Sequence, residues 1–253
     1  VTRDVASRPE RSCKAIRYLF SVRYYFDEVT PDNLEPEGID LPGFSYYDTQ
    51  NGFHIYKNDY ALPMGFTFDT YVSRSQWETY SESDRCNLLL RALVLEDDAV
   101  ETYQKDMQKL PDAVHQMSDE DLLAECTERA KTACDSFTYN SKGFHATIST
   151  DHANLVFFSV PWEEGWSAEV NGEPVSIEKA DIGFMAVPVA AGDSEITFTY
   201  HTPGLKAGAL LSLSGLVLFA GYLTVAGIWN KRHPSPKAES VCCMDYSAEE
   251  TAN

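Results

Sequence analysis

From Ala207 to Trp229 the chain runs 23 residues without a charge, and Asn230-Lys231-Arg232 closes the run. About 20 apolar residues at roughly 1.5 Å rise each match the ~30 Å hydrocarbon core of a bilayer, and a helix apolar on every side has no place on a water-soluble surface. The reading is a transmembrane helix over 204–229. The alternative, a buried central helix of a soluble domain, finds no following sequence able to wrap it, since only a short polar tail remains. That single element makes the rest of the chain a membrane-anchored region.

Basic residues set the expected orientation. Lys231, Arg232 and Lys237 follow the span, whereas Lys206 before it is set against Asp193 and Glu195. Under the positive-inside rule, residues 1–206 are extracytoplasmic and 230–253 form a cytoplasmic, acidic, disordered tail. A tail-anchored protein with a cytosolic domain is the opposite topology, and the basic flank argues against it. Trp229 and Tyr222 suit interfacial anchors, and Gly208, Ser212 and Gly215 leave a narrow stripe for close helix approach. Residues 1–20 carry five basic side chains and no apolar secretory core, so export is expected to depend on earlier spans of a longer membrane protein.

Charge and cysteine usage narrow the function classes. The formal charge is −19, and the tail from Asn230 onward, with three basic and four acidic residues, accounts for only −1 of it. Nucleic acid is excluded as a partner, because phosphate binding needs a basic patch that releases counterions. Cys13, Cys86, Cys126 and Cys134 are scattered without a CxxC, and Cys242-Cys243 fall on the cytoplasmic tail, so free thiols are expected. The six histidines are isolated, no paired Cys/His spacing occurs, and no metal or cofactor is expected.

Ahead of the span the pattern is α+β. Residues 15–29, dense in β-branched and aromatic types, read as one or two strands, and the Pro/Gly-rich stretch 30–43 as a loop. Phe44–Tyr47 and Phe53–Asn58 flank an Asn51-Gly52 hairpin signal, and Tyr60–Tyr71 continues extended. Ser81 to Asp84 offer N-caps for a helix carrying Cys86 to Leu93 and ending near Glu96-Asp97-Asp98. Ser118 and Asp121 form a capping-box pattern for a second helix reaching about Cys134. From 136 to 203 seven strand candidates follow at short spacing, as in a β-sandwich: 137–139, 143–149, 154–160, 166–170, 175–178, 183–189 and 195–200. Asn171-Gly172 closes a hairpin, and Pro174 marks an edge strand. The expected organisation is a mixed α/β N-terminal part over 1–135, a mostly antiparallel β-sandwich over 136–203, and one C-terminal transmembrane helix.

Several passages resemble one family. The run from Leu155 to Gly208, LVFFSVPWEEGWSAEVNGEPVSIEKADIGFMAVPVAAGDSEITFTYHTPGLKAG, gives an apolar strand, a Gly-Trp turn, a strand ending in Asn-Gly, a Gly-Phe-Met strand and a Pro-Gly exit into the last helix. With YLFSVRYY (18–25) and NDYALPMGF (58–66), this order is similar to the C-terminal end of the YfhO family of bacterial polytopic membrane proteins. The resemblance implies a glycosyltransferase of the GT-C kind, which takes sugar from a polyprenyl-phosphate donor and delivers it to a cell-envelope polymer. In such enzymes the catalytic acids lie in early extracytoplasmic loops. This region is then expected to be non-catalytic by itself, its partners being the membrane and, through upstream spans, a lipid-linked sugar and an envelope polymer. A non-catalytic anchored module that binds envelope glycan or a partner protein is the other reading.

Within the chain, Trp162-Glu163-Glu164-Gly165-Trp166 is the passage with glycan-contact chemistry: two aromatic faces for pyranose rings and two carboxylates. Its plainer reading is a turn between strands, with adjacent acids splayed into solvent. A glycosidase pair comes from separate segments about 5–9 Å apart. Trp162, Glu163, Glu164 and Trp166 are therefore the candidate glycan contacts, and no catalytic residue is nominated. Glu96-Asp97-Asp98 and Asp119-Glu120-Asp121 lack the alternating spacing of a calcium loop and read as solvated helix ends.

Overall fold

The computed structural model describes residues 13–111 and 117–233. It divides into two compact units, Val1–His201 and Thr202–Asn253. The first is α+β with mostly antiparallel sheets, and the second carries the apolar helix.

The segment 15–29 opens with a helix, not a strand: α1 spans Ala15–Leu19 and β1 spans Tyr24–Glu28. Ala15, Tyr18 and Leu19 are all buried, an i, i+3, i+4 spacing that only a helix can turn to one side. The Tyr18 hydroxyl of α1 donates to the Pro42 carbonyl. Next, β1 joins β2 (Phe44–Gln50) and β3 (Phe53–Asn58) in a three-stranded antiparallel sheet of order β1-β3-β2. The hairpin turn is tighter than expected. Strand β2 continues through Asp48, and only Asn51 (φ 52°) and Gly52 (φ 79°) make the turn, the positive angles that a two-residue connection matching strand twist requires.

A seven-stranded mixed sheet forms the centre of this unit. It draws on β4 (Phe66–Thr67), β5 (Thr70–Ser73), β6 (Leu93–Leu95), β7 (Gln108–Lys109), β10 (Asn154–Pro161), β13 (Glu178–Ala180) and β14 (Phe184–Val189), in the order β4-β10-β14-β13-β6-β5-β7. Strands from both sides of residue 135 therefore share one sheet. The helix expected to run to Leu93 stops earlier. Helices α2 (Arg74–Trp77) and α3 (Glu82–Leu88) precede a turn, and Leu93 enters β6, parallel to β5. The acid run starts a helix where an ending was expected: Glu96 is the N-cap of α4 (Asp97–Tyr103), and Asp97 and Asp98 fill its first turn, where the helix dipole favours negative charge. Helix α5 (Asp119–Lys131) has the capping box, with the Ser118 hydroxyl accepting from Asp121 N–H at 3.1 Å and Asp121 Oδ2 accepting from Ser118 N–H at 3.0 Å.

A second sheet, of order β12-β11-β15-β9-β8, is wholly antiparallel: β8 (Ser136–Asn140), β9 (Gly143–Thr150), β11 (Trp166–Val170), β12 (Glu173–Val175) and β15 (Gly192–Tyr200). Pro174 sits on its edge strand β12, where no ladder bond is lost. The stretch expected as a single strand, 175–178, is divided between β12 here and β13 in the larger sheet.

Alternation along the central strands assigns each face. On β10, Leu155 and Phe157 belong to the core shared with the helices, while Val156 and Phe158 belong to the core shared with the five-stranded sheet. On β14, Ala186 faces the first and Met185 and Val187 the second. Phe157 and Phe158 are both fully buried, each burial contributing roughly 1.5–3 kcal/mol before chain entropy is counted. The helix side and the sandwich side thus share one sheet as their common wall.

The free-thiol expectation fails for one pair. Cys13 and Cys86, 73 residues apart in sequence, are joined by a disulfide with Cα atoms 5.4 Å apart. Packing of α1 on α3 brings them together, a contact that spacing along the chain does not announce. Cys126 and Cys134 are free, and burial pushes both thiols up to about 12, leaving them protonated and unreactive.

In the second unit, α6 spans Leu205–Arg232, 28 residues with mean hydropathy 1.9. None of its residues is buried, so its leucines, valines and Phe219 present an apolar surface on all sides. The acidic tail beyond His233 lies outside the described residues.

Candidate functional site

Four segments meet at one end of the five-stranded sheet: the β8–β9 turn, the end of β10, the turn before β11, and the last residue of β15. Together they wall an open groove of about 530 Å³ lined by Tyr139, Lys142, Val160, Glu163, Trp166 and Tyr200, among others. Strand register sets the geometry. Trp166 pairs directly with Tyr200 across β11 and β15, their ring centroids 5.0 Å apart and tilted by 59°. Phe144 lies 5.6 Å from Trp166 and stacks on Phe198 at 4.4 Å, so the groove floor is backed by a packed aromatic cluster.

Backbone bonds fix the rims. Tyr200 N–H donates to the Lys142 carbonyl at 2.7 Å, His201 N–H to the Gly165 carbonyl at 2.8 Å, and Trp166 N–H to the Glu163 carbonyl at 3.2 Å. Gly143 permits the closest approach: a Cβ there would stand 1.9 Å from the Phe198 carbonyl oxygen. The groove's one carboxylate, Glu163, accepts the Tyr200 hydroxyl at 2.7 Å, and this bond raises the phenol above its ordinary value.

The candidate glycan contacts separate here. Glu163 and Trp166 line the groove; Trp162 and Glu164 do not. Trp162 is exposed beside it, with Lys179 Nζ 6.0 Å from its ring centroid, and the Trp162 backbone N–H donates to the Gly183 carbonyl at 2.9 Å. The two glutamates diverge, Glu163 toward Tyr200 and Glu164 into solvent. Tyr139, 82% exposed on the opposite rim, together with Lys142 and Tyr200, completes the wall and was not singled out by sequence reasoning. The signal available was weak: aromatic residues at strand ends, where an outward position serves no core.

Chemically, the groove offers aromatic faces with a few polar groups, the composition of a small-molecule or glycan contact surface. One carboxylate does not make a hydrolytic pair, which needs two held about 5–9 Å apart. Among the described residues no group of three His, Cys, Asp or Glu could hold a metal ion.

Comparison with known proteins agrees with this architecture. The family described as "Bacterial membrane protein YfhO" matches residues 13–119 and 113–212. A curated relative, "Uncharacterized protein YfhO" from Bacillus subtilis (strain 168), is 30% identical over 121 residues. The aligned part is 48% of this chain and spans 13% of that protein's length. No solved structure matches the chain. The family match runs through all three sheets described, the groove and the start of the apolar helix; the chain belongs to the YfhO family of bacterial membrane proteins.

Proposed function

We propose that this chain is the extracytoplasmic region and last membrane helix of a glycosyltransferase that uses a polyprenyl-phosphate-linked sugar to glycosylate the cell envelope. Its groove touches the acceptor glycan, and the reacting acids lie in extracytoplasmic loops between upstream spans. The observation that carries the reading is the aromatic groove on β15, the strand from which only His201 to Gly204 lead to the apolar helix of a membrane-protein family member. Trp166, Tyr200 and Tyr139 supply ring faces for pyranose stacking, and Glu163 and Lys142 supply polar contacts. The Cys13–Cys86 disulfide supports the outward placement of residues 1–206, because such bonds persist in oxidising compartments.

The test is genetic and chemical together. Deleting the gene should remove one sugar decoration from an envelope polymer, seen by glycan composition analysis. Restoring the parent gene with Trp166→Ala and Tyr200→Ala together should recover less than about a tenth of that decoration at equal protein level. Unchanged envelope glycans in the deletion strain would overturn the reading. Sidedness is read separately: a membrane-impermeant maleimide applied to intact cells should fail to label Cys242 and Cys243.

A further inference from the structure

Alternation along β3, the middle strand of the three-stranded sheet, separates two unlike faces. His54 and Tyr56 point inward, each 2% exposed, whereas Phe53 and Lys57 point outward with Ile55 between them. The outward face of an antiparallel sheet is ordinarily polar. Here it is aromatic: Tyr24 and Phe26 of β1, which pair with Lys57 and Ile55, join Phe53 of β3 and Tyr47 of β2. Phe26 is 58% exposed and Tyr47 60%. Apolar groups gathered this openly on one face mark a binding surface more often than chance exposure does.

The backbone arrays the rings. Tyr47 occupies the bulge between Tyr46 and Asp48, and its ring lies across the middle strand, 5.8 Å from Tyr24 with planes at 60°. Phe26 and Phe53, diagonal neighbours on β1 and β3, stand 6.5 Å apart with planes at 84°. In each pair one ring meets the other by its edge, so that ring keeps both of its own faces uncovered by its partner. At roughly 3.3 Å per residue the five residues of β1 make the face about 13 Å long, room for a short oligosaccharide.

Polar groups stand among the rings and not only around them. Lys57 pairs with Tyr24 on one side and Ser45 on the other, its ammonium 3.0 Å from Asp59 Oδ1. Asp48 pairs with Ile55 and Gln50 with Phe53, and Gln50 Nε2 donates to Asp48 Oδ2 at 2.5 Å. Charged residues are depleted from the cores of protein interfaces, and ionised groups are costly within lipid. A lysine on the middle strand and an aspartate beside it therefore fit a hydrated ligand. The surroundings set its charge. Asp59 pairs with Lys57, Glu28 and Asp48 add carboxylates, and the chain carries −19, a field that repels anionic polymers and anionic headgroups. A neutral saccharide meets both conditions: the C–H face of a pyranose ring packs on an aromatic plane while its hydroxyls bond to carboxylate, amide and ammonium groups.

We propose that the outer face of the three-stranded sheet, formed by Tyr24, Phe26, Tyr47 and Phe53, is a platform that seats a strand of neutral glycan. It shares no residue with the groove and requires no transferase activity.

The test uses the full chain in phosphatidylcholine nanodiscs with 4-trifluoromethylphenylalanine in place of Phe26, so that the fluorine signal reports this face and not the groove. Cellohexaose, mannohexaose and chitohexaose are titrated as neutral probes. At least one should shift the signal saturably, and added salt should leave its affinity unchanged. Tyr24→Ala and Tyr47→Ala should each weaken that sugar about tenfold, whereas Tyr47→Trp, which keeps a stacking plane, should stay within about twofold of wild type. The tryptophan variant serves as the folded reference if an alanine variant does not fold. Three outcomes would overturn the proposal: no shift with any of the sugars, wild-type affinity in folded Tyr47→Ala, or a sugar-insensitive signal that responds instead to a gadolinium-chelating lipid in the disc or to protein concentration alone. The last would assign the face to lipid or to a second copy of the chain. Unchanged envelope glycans in the deletion strain would leave binding at this face intact, so the two readings fail separately.

Discussion

Asp181 and Val94 clasp each other by two hydrogen bonds: Val94 N–H donates to Asp181 Oδ1 at 2.8 Å, and Asp181 N–H donates to the Val94 carbonyl at 2.9 Å. The clasp joins β6 to the turn between β13 and β14, completing the larger sheet where Ala180 meets Leu95. The other carboxyl oxygen, Oδ2, is buried without a hydrogen-bond partner among the described residues.

Burial pushes the Asp181 carboxyl up to about 8, against the Val94 bond that favours its charged form. Between the ordinary carboxylate range and pH 8 the folded chain holds a proton that the unfolded chain has released. This group's contribution to stability therefore falls as pH rises through that window. Asp181→Asn keeps an acceptor for Val94 and cannot ionise. Thermal melts from pH 5 to pH 9 should show a shallower decline for the variant and a higher Tm than wild type at pH 8. Parallel slopes would exclude Asp181 as the source.

The Cys13–Cys86 bond closes a loop across 73 residues of separation. Chain-entropy reasoning gives about 4 kcal/mol for a loop of that order, an upper figure because strain and residual denatured structure reduce it. Replacing both cysteines with serine should lower the denaturant midpoint by an amount equivalent to roughly 2–4 kcal/mol. Reducing agent should affect wild type and leave the double variant unchanged.

Gly143→Ala places a methyl 1.9 Å from the Phe198 carbonyl oxygen, a backbone atom with no rotamer to yield. The variant should lose about 3 kcal/mol or more and open the β9–β15 ladder, visible as fast amide exchange from Phe144 to Ile148. Exchange protection as in wild type would show that the methyl is accommodated with the ladder closed.

Ser118→Ala removes the hydroxyl that accepts from Asp121 N–H at the start of α5. The expected loss is about 1 kcal/mol. The Ser118 hydroxyl and backbone hold the Asp121 carboxyl below its usual value, so the stability it contributes is present above the ordinary carboxylate range and lost as pH falls. The variant should show a weaker decline in Tm between pH 5 and pH 3 than wild type.

Expressed as residues 1–253 alone, the chain should stay in membranes through alkaline carbonate extraction by the exposed apolar surface of α6, and ending that same segment after His201 should move it to the soluble fraction. Solubility of the full chain without detergent would contradict a membrane-spanning role.

What could be read from the chain follows a simple physical division. The apolar helix was legible because a continuous run of apolar residues needs no partner to be recognised. The capping box of α5 and the Asn51-Gly52 and Asn171-Gly172 turns were legible because they are bonds and dihedral angles between neighbours in sequence. The α1 and α4 misreadings arose where composition and geometry compete. Aromatic density at 15–29 outweighed a five-residue helical spacing, and the acids at 96–98 suit a helix start as well as a solvated end.

The sequence by itself determined the apolar helix, the α+β class, the alternation that gives β10 two apolar faces, and the turn chemistry, because each is set by local sterics or periodicity. Tertiary structure alone decided that β10, β13 and β14 join β4 to β7 in one sheet, that Cys13 meets Cys86, and that Glu163 turns to Tyr200 while Glu164 does not. Those are contacts between residues at least 37 positions apart, fixed by which faces exclude water together, and no local pattern along the chain encodes which distant face that is.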